Sequence, residues 1–192
     1  MKKLLFIFIS VLPVFACKAD IIVVDANGTG DYPTIQAAIN AANDFDVVEL
    51  QPGTYTGDGN RDIDYLGKPI TVRSINPNDP NIVAATVIDC NGMETELHRG
   101  FRFDSNEDGN SILMGLTIAN GYGPEEQVLG LPSLLSVGGA IFCKASSPYI
   151  FNCVIKNNEA FYGGGMFNHE NSKPKIVNCT FLNNRVPSNS RG

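Results

Sequence analysis

The sequence predicts an all-β chain, a single-stranded right-handed parallel β-helix (a solenoid) with an N-terminal capping helix. Three observations predict it. First, a unit of about 25 residues recurs: 138–158, GGAIFCKASSPYIFNCVIKNN, and 163–184, GGGMFNHENSKPKIVNCTFLNN, are two copies, and a degenerate third runs from Gly100 through GFRF to LMGLTIANG at 113–121. Second, apolar residues within each copy alternate with period two, the signature of a strand with one buried face. Third, the repeated unit holds short strands and no helix. A unit this short cannot bury its own apolar face, so it must stack on its neighbours. A leucine-rich repeat has a similar length but needs several Leu per unit, and these copies have almost none.

Taken in order, the chain opens with basic Met1-Lys2-Lys3 and an apolar run from Leu4 to Phe15, too short for a bilayer span and read as a signal peptide over 1–16. Val14-Phe15-Ala16 suits ordinary signal peptidase. The same residues followed by Cys17 resemble a lipobox, in which Cys17 would be lipidated and anchor the chain to a membrane. Both readings stay open. Residues 20–55 form the N-terminal strand and capping helix. Pro33 opens a helical stretch whose Ile35, Ala38, Ile39 and Ala42 recur at i, i+3, i+4 and i+7, flanked by strands at Ile21 to Val24 and Val47 to Leu50. Such a helix would cover the first rung's exposed core and backbone.

Residues 56–192 are the β-helix rungs. Met114, Leu116 and Ile118 are expected to point inward and to stack on Phe151, Cys153 and Ile155, then on Val177, Cys179 and Phe181. Phe103, Phe142 and Phe167 form a second inward column, and Gly115, Thr117, Asn152, Val154, Lys156, Asn178 and Thr180 face out. Asn120, Asn157 and Asn183 continue the inward parity to a turn, where side-chain amides would satisfy bent backbone. Turns of varying length join the strands at 104–110, 144–148 and 169–174. No cap is visible after Asn184, so the C-terminal rung reads as open, a sticky edge that predicts self-association.

Removing residues 1–16 takes two lysines and no acid, moving the net charge from −6 to −8, which argues against a nucleic-acid partner. Residues 20–137 hold 18 acids and 5 bases, whereas 138–192 hold 2 acids and 6 bases. Uneven charge of this kind bears on association, not on fold.

The stretches GGAI at 138–141, IKNN at 155–158 and FLNN at 181–184 resemble the GGAI and FxxN repeats of polymorphic outer membrane proteins. The opening DANGTGDYPTIQAAINAANDFDVVELQPGTY at 25–55 resembles the start of pectin methylesterases and other pectate-lyase-like β-helices. The resemblance implies an exported, surface-displayed β-helix; it does not fix an activity, since the superfamily holds lyases, hydrolases, esterases and non-catalytic surface proteins. The esterase pattern of Gln-Asp-Thr, Gly-x-x-Asp-Phe and Leu-Gly-Arg-Pro is absent. An acidic ladder for polygalacturonase-like hydrolysis is missing from the repeats.

Lyase chemistry requires acidic calcium ligands, which acidify the proton beside a uronate carboxylate, and a base. Asp62 and Asp64 in RDIDYLGK with Arg73 in ITVRS are the candidates, alternation putting both Asp on one strand face. Asp104, Asn106 and Asp108 match the first half of an EF-hand loop, though Gly115 stands where its final Glu belongs. The sequence requires no cofactor, and calcium is the ion that turn could take. His98 and His169 are far apart and suggest neither zinc nor a triad. Cys153 and Cys179 share an inward column and read as a reduced ladder, while Cys90 and Cys143 have no assigned partner. Tyr65, Tyr122, Tyr149 and Tyr162 could stand in for the missing Trp as sugar platforms, but Tyr149 shares its strand's inward parity.

Two functions follow. One is a secreted or surface-displayed, non-catalytic β-helix for adhesion or glycan contact, with a polysaccharide or cell-surface ligand. The alternative is a calcium-assisted polysaccharide lyase acting through Asp62, Asp64 and Arg73.

Overall fold

The structure, a computed structural model, describes residues 19–128 and 133–187. The signal-peptide segment 1–16 and Cys17 lie outside the described residues.

Strand β1 (Ile21–Val24) leads through helix α1 (Ile35–Ala41) into β2 (Val47–Leu50) and β3 (Gly53–Tyr55). A first full turn contains β4 (Ile63–Asp64), β5 (Thr71–Ser74), helix α2 (Pro80–Ala85) and β6 (Thr86–Asp89). The next holds β7 (Phe101–Phe103), β8 (Ile112–Met114) and β9 (Thr117–Ala119), followed by a hairpin of β10 (Glu125–Gln127) and β11 (Leu134–Ser136). Two further turns contain β12 (Ile141–Lys144), β13 (Tyr149–Phe151) and β14 (Val154–Lys156), then β15 (Met166–His169), β16 (Lys175–Val177) and β17 (Thr180–Leu182).

Like strands of successive turns pair in parallel and build three walls: β1-β2-β5-β8-β13-β16, β4-β7-β12-β15 and β3-β6-β9-β14-β17. Among the described strands the β10–β11 pair is antiparallel, and isolated antiparallel bridges join Met93 to Glu96 and His98 to Tyr122. This is a parallel β-helix, and its axis is filled by Val48, Ile63, Tyr65, Val72, Ile88, Phe101, Phe103, Leu113, Ile118, Ile141, Ile150 and Ile155, all fully buried. The apolar face of α1, Ile35, Ala38 and Ile39, joins the same core. Thr34 caps that helix, its hydroxyl accepting from Ala37 N at 3.2 Å. No helix among the described residues is long and apolar enough to cross a membrane.

The walls agree with the expected stacking, but the parity within them needs correction. Leu113, Ile150 and Ile176 occupy the inward column, while Met114, Phe151 and Val177 face out. The cause is a one-residue corner in the left-handed region at Gly115, Asn152 and Asn178, with φ of 68°, 53° and 52°. One such residue turns the chain between walls and resets the alternation, so the residues on either side of the pair 114–115 both point to the core. Gly115 has a further reason to lack a Cβ, which would come within 2.3 Å of Pro77. Asn120, Asn157 and Asn183 mark a second left-handed corner, with φ of 54–56°. Asn120 and Asn157 are exposed; the buried amide is that of Asn158, which accepts from Gly121 N at 2.8 Å and donates to Asn184 Oδ1 at 2.9 Å.

The phenylalanine column is also corrected. Register pairs Phe103 with Cys143, and Phe142 with Arg102 and Phe167, so Phe103 is inward while Phe142 and Phe167 lie on the outside of the wall. There they stack with centroids 6.3 Å apart, under Val128, Leu135 and Val137 of the hairpin region. Cys90, Cys143, Cys153 and Cys179 are all free thiols.

Candidate functional site

The outward row Asp64, Arg102, Phe142 and Phe167 crosses the four-stranded wall in register. Each residue stands outside because its strand neighbours, Ile63, Phe101, Phe103, Ile141 and Cys143, are drawn into the core. The segment between β6 and β7 and the hairpin after β9 rise beside this row. Between them lies a cleft of about 280 Å³ lined by Asp62, Leu97, His98, Arg99, Arg102, Pro124 and Glu126.

Arg99 dominates the cleft's electrostatics. Its side chain is only 2% exposed and forms an ion pair from Nη2 to Glu126 Oε1 at 3.1 Å. The same nitrogen donates to Pro124 O at 3.3 Å, and the guanidinium lies 4.7 Å over the Phe142 ring. Its Nε and Nη1 are buried without a hydrogen-bond partner. Burial lowers its pKa to about 10, with Glu126 opposing, so it remains a cation at neutral pH. Arg102 pairs with Asp104, which holds its charge more firmly than usual.

Asp62 sits at a left-handed corner with φ 52°. One carboxylate oxygen accepts from Arg99 N at 2.9 Å, and the other is 2.6 Å from His98 Nδ1. The opposite ring nitrogen of His98 is 3.4 Å from Glu96. Rung stacking thus joins a carboxylate and an imidazole 36 residues apart, an arrangement able to pass a proton.

Asp62, at the corner before β4, lines the cleft, whereas Asp64 stands on β4 in the outward row. Asp64 accepts from Leu66 N at 2.8 Å, and its carboxyl is pushed above its ordinary range, chiefly by burial, with Asp104 and Glu107 adding to it. Arg73 is not brought to them: it stands on the six-stranded wall and pairs with Glu49 at 2.7 Å. The guanidinium beside Asp64 is that of Arg102. Its place was readable in GFRF, where the residue between two inward phenylalanines must face out, whereas nothing in the sequence marks Arg99 as buried.

In the acidic turn, Asp104 faces Arg102, Asn106 adopts φ 63°, and Asp108 accepts from Asn110 N at 2.8 Å. Among the described residues no group of three or more His, Cys, Asp or Glu could hold a metal ion. The aromatic residues divide clearly. Tyr65 is buried against Phe101 and Phe103, and Tyr122 is buried too. Tyr149 faces out, correcting the expected parity, with Lys175 5.0 Å over its ring. Tyr162 is exposed and lies 6.5 Å from Phe167, extending the outward row beyond the cleft.

No family model matches the sequence, and no curated protein matches it. Among solved structures, the deglycosylated pectin methylesterase from Aspergillus niger is similar, with a TM-score of 0.37 and 15% identity over 89% of this chain and 60% of that one. The chain therefore spans less than two thirds of that enzyme's length.

Proposed function

We propose that the protein is an exported, surface-displayed β-helix that holds a glycan along the outer side of the four-stranded wall, contact and not cleavage being its role. The observation that carries this reading is the side-by-side placement of Asp64 and Arg102 on the outside of the wall, with the Arg102 side chain 37% exposed and lining the cleft. Planar carboxylate and guanidinium groups offer paired acceptors and donors to adjacent sugar hydroxyls. An exposed ring such as Tyr162 offers an apolar face to the sugar's C–H side. The apolar leader and Cys17 support export, with lipid anchoring at Cys17 as its membrane-bound form. The GGAI and FLNN stretches, through their likeness to outer-membrane repeats, support surface display.

One observation favours the second reading, a polysaccharide lyase or related enzyme: the 2.6 Å contact of His98 with Asp62 at the edge of the cleft. Both are tested by presenting anionic and neutral polysaccharides to residues 17–192, with and without calcium, and following binding together with the absorbance of unsaturated uronate. The expected result is binding without product, weakened about tenfold in Arg102→Ala, which removes charged hydrogen bonds. Product formation that disappears in Asp62→Asn and His98→Gln would replace the contact reading with the enzymatic one. Neither binding nor product across the panel would overturn both.

A further inference from the structure

We propose that Cys153 and Cys179 form a thiol pair that a small-molecule disulfide oxidises to an intrachain disulfide, fastening the β15–β16–β17 turn to the one before it. The pairings Phe151 with Val177 and Val154 with Thr180 bracket the two cysteines, so Cys153 and Cys179 are direct neighbours on adjacent rungs. Adjacent strands lie about 4.8 Å apart, inside the Cα range that disulfides span. Both cysteines follow a left-handed asparagine, Asn152 or Asn178, and so leave the corner in the same direction. Cys153 N donates to Cys179 Sγ at 3.4 Å, and the Cys153 thiol lies beside it with Phe151 O 3.3 Å away.

The pair is asymmetric. Cys153 is buried, whereas Cys179 is half-buried on the last described rung, where no strand covers it. The hydrogen bond from Cys153 draws the Cys179 thiol down to about 7, while burial holds Cys153 up. Cys179 is therefore the attacking thiolate and Cys153 the resolving thiol. In the first step Cys179 sulfur bonds to one sulfur of the reagent disulfide, whose other half leaves as a thiolate. In the second, Cys153 sulfur attacks Cys179 sulfur, its proton passes to the expelled thiolate, and the second reagent half departs. One small disulfide becomes two small thiols as two protein thiols become one disulfide. The pair lies at the corner between the six- and five-stranded walls, away from the cleft, so its fate is independent of the glycan reading.

The test exposes the folded wild-type protein to oxidised glutathione at mildly alkaline pH. Expected are an intact mass lower by two hydrogens with no glutathione retained, and a non-reduced digest joining the Cys153 and Cys179 peptides. Hydrogen exchange of the Thr180–Leu182 amides should slow at least about tenfold and recover on reduction. Cys153→Ser should halt at glutathione bound to Cys179. An unmodified protein, a stable glutathione adduct on wild-type Cys179, or a bridge through Cys90 or Cys143 would each overturn the proposal.

Discussion

The carboxylate of Glu107 accepts three hydrogen bonds, from Gly67 N at 2.9 Å, Ser105 N at 2.9 Å and Ser146 Oγ at 2.8 Å. These donors belong to the turns of three successive rungs, so one buried side chain ties together loops that no strand pairing reaches. Glu107→Ala would leave three donors unsatisfied and should lower the unfolding free energy by about 3 kcal/mol in urea titration. Glu107→Gln keeps an acceptor and should recover part of that loss. The sequence offers Glu107 only as one acid in an acidic turn, where Asp104 and Asp108 draw more notice because of their spacing. Burial distinguishes them: Glu107 is 2% exposed, whereas Asp108 bonds within its own exposed turn. Burial in a loop depends on how neighbouring loops fold over it, and no local pattern encodes that.

At the scale of elements, the corners decide which face each strand presents. Asn152 combines φ 53° with side-chain donation to Pro77 O at 2.9 Å and Asn78 Oδ1 at 3.0 Å. Asn152→Ala loses both the tolerance for that backbone and the tie to the α2 loop, and should cost about 2 kcal/mol. Asn152→Gly should cost less, since it loses only the tie; equal losses in chemical denaturation would show the backbone contribution to be absent. The strands, their stacking order and the inward Leu116, Ile118, Cys153 and Ile155 were legible from periodicity alone. Parity ahead of the corner was not, because a single left-handed residue breaks a period-two pattern without breaking the run of apolar residues. The aligned Gly115, Asn152 and Asn178 were the available signal, being the residue types that such a backbone favours. The antiparallel hairpin, which forms part of the cleft, has no such signal because β10 reads Glu125-Glu126-Gln127, without apolar alternation. Arg99 depends on that hairpin for its carboxylate, so sequence spacing points to Arg73 while the structure sets Arg102 beside Asp64 and Arg99 beside Asp62.

For the molecule as a whole, the last described rung leaves core positions open. Ile176 and Phe181 continue the inward columns of Ile150 and Ile155, yet they are 40% and 46% exposed. We propose that the protein self-associates through that face, hiding these side chains and the edges of β15, β16 and β17. Sedimentation should show species larger than a monomer as concentration rises, and Ile176→Lys with Phe181→Lys should restore the monomer. A single monomeric boundary at every concentration would refute it.

The in-register pairing of β13 with β16 and β14 with β17 joins residues 26 apart. A genetic duplication or loss of those 26 residues, with both ends at equivalent asparagine corners, would present each remaining strand with a partner of the same inward parity. The chain can therefore lengthen or shorten by whole rungs without redesigning its core, so variation in the length of the displayed surface is open to it in single mutational events.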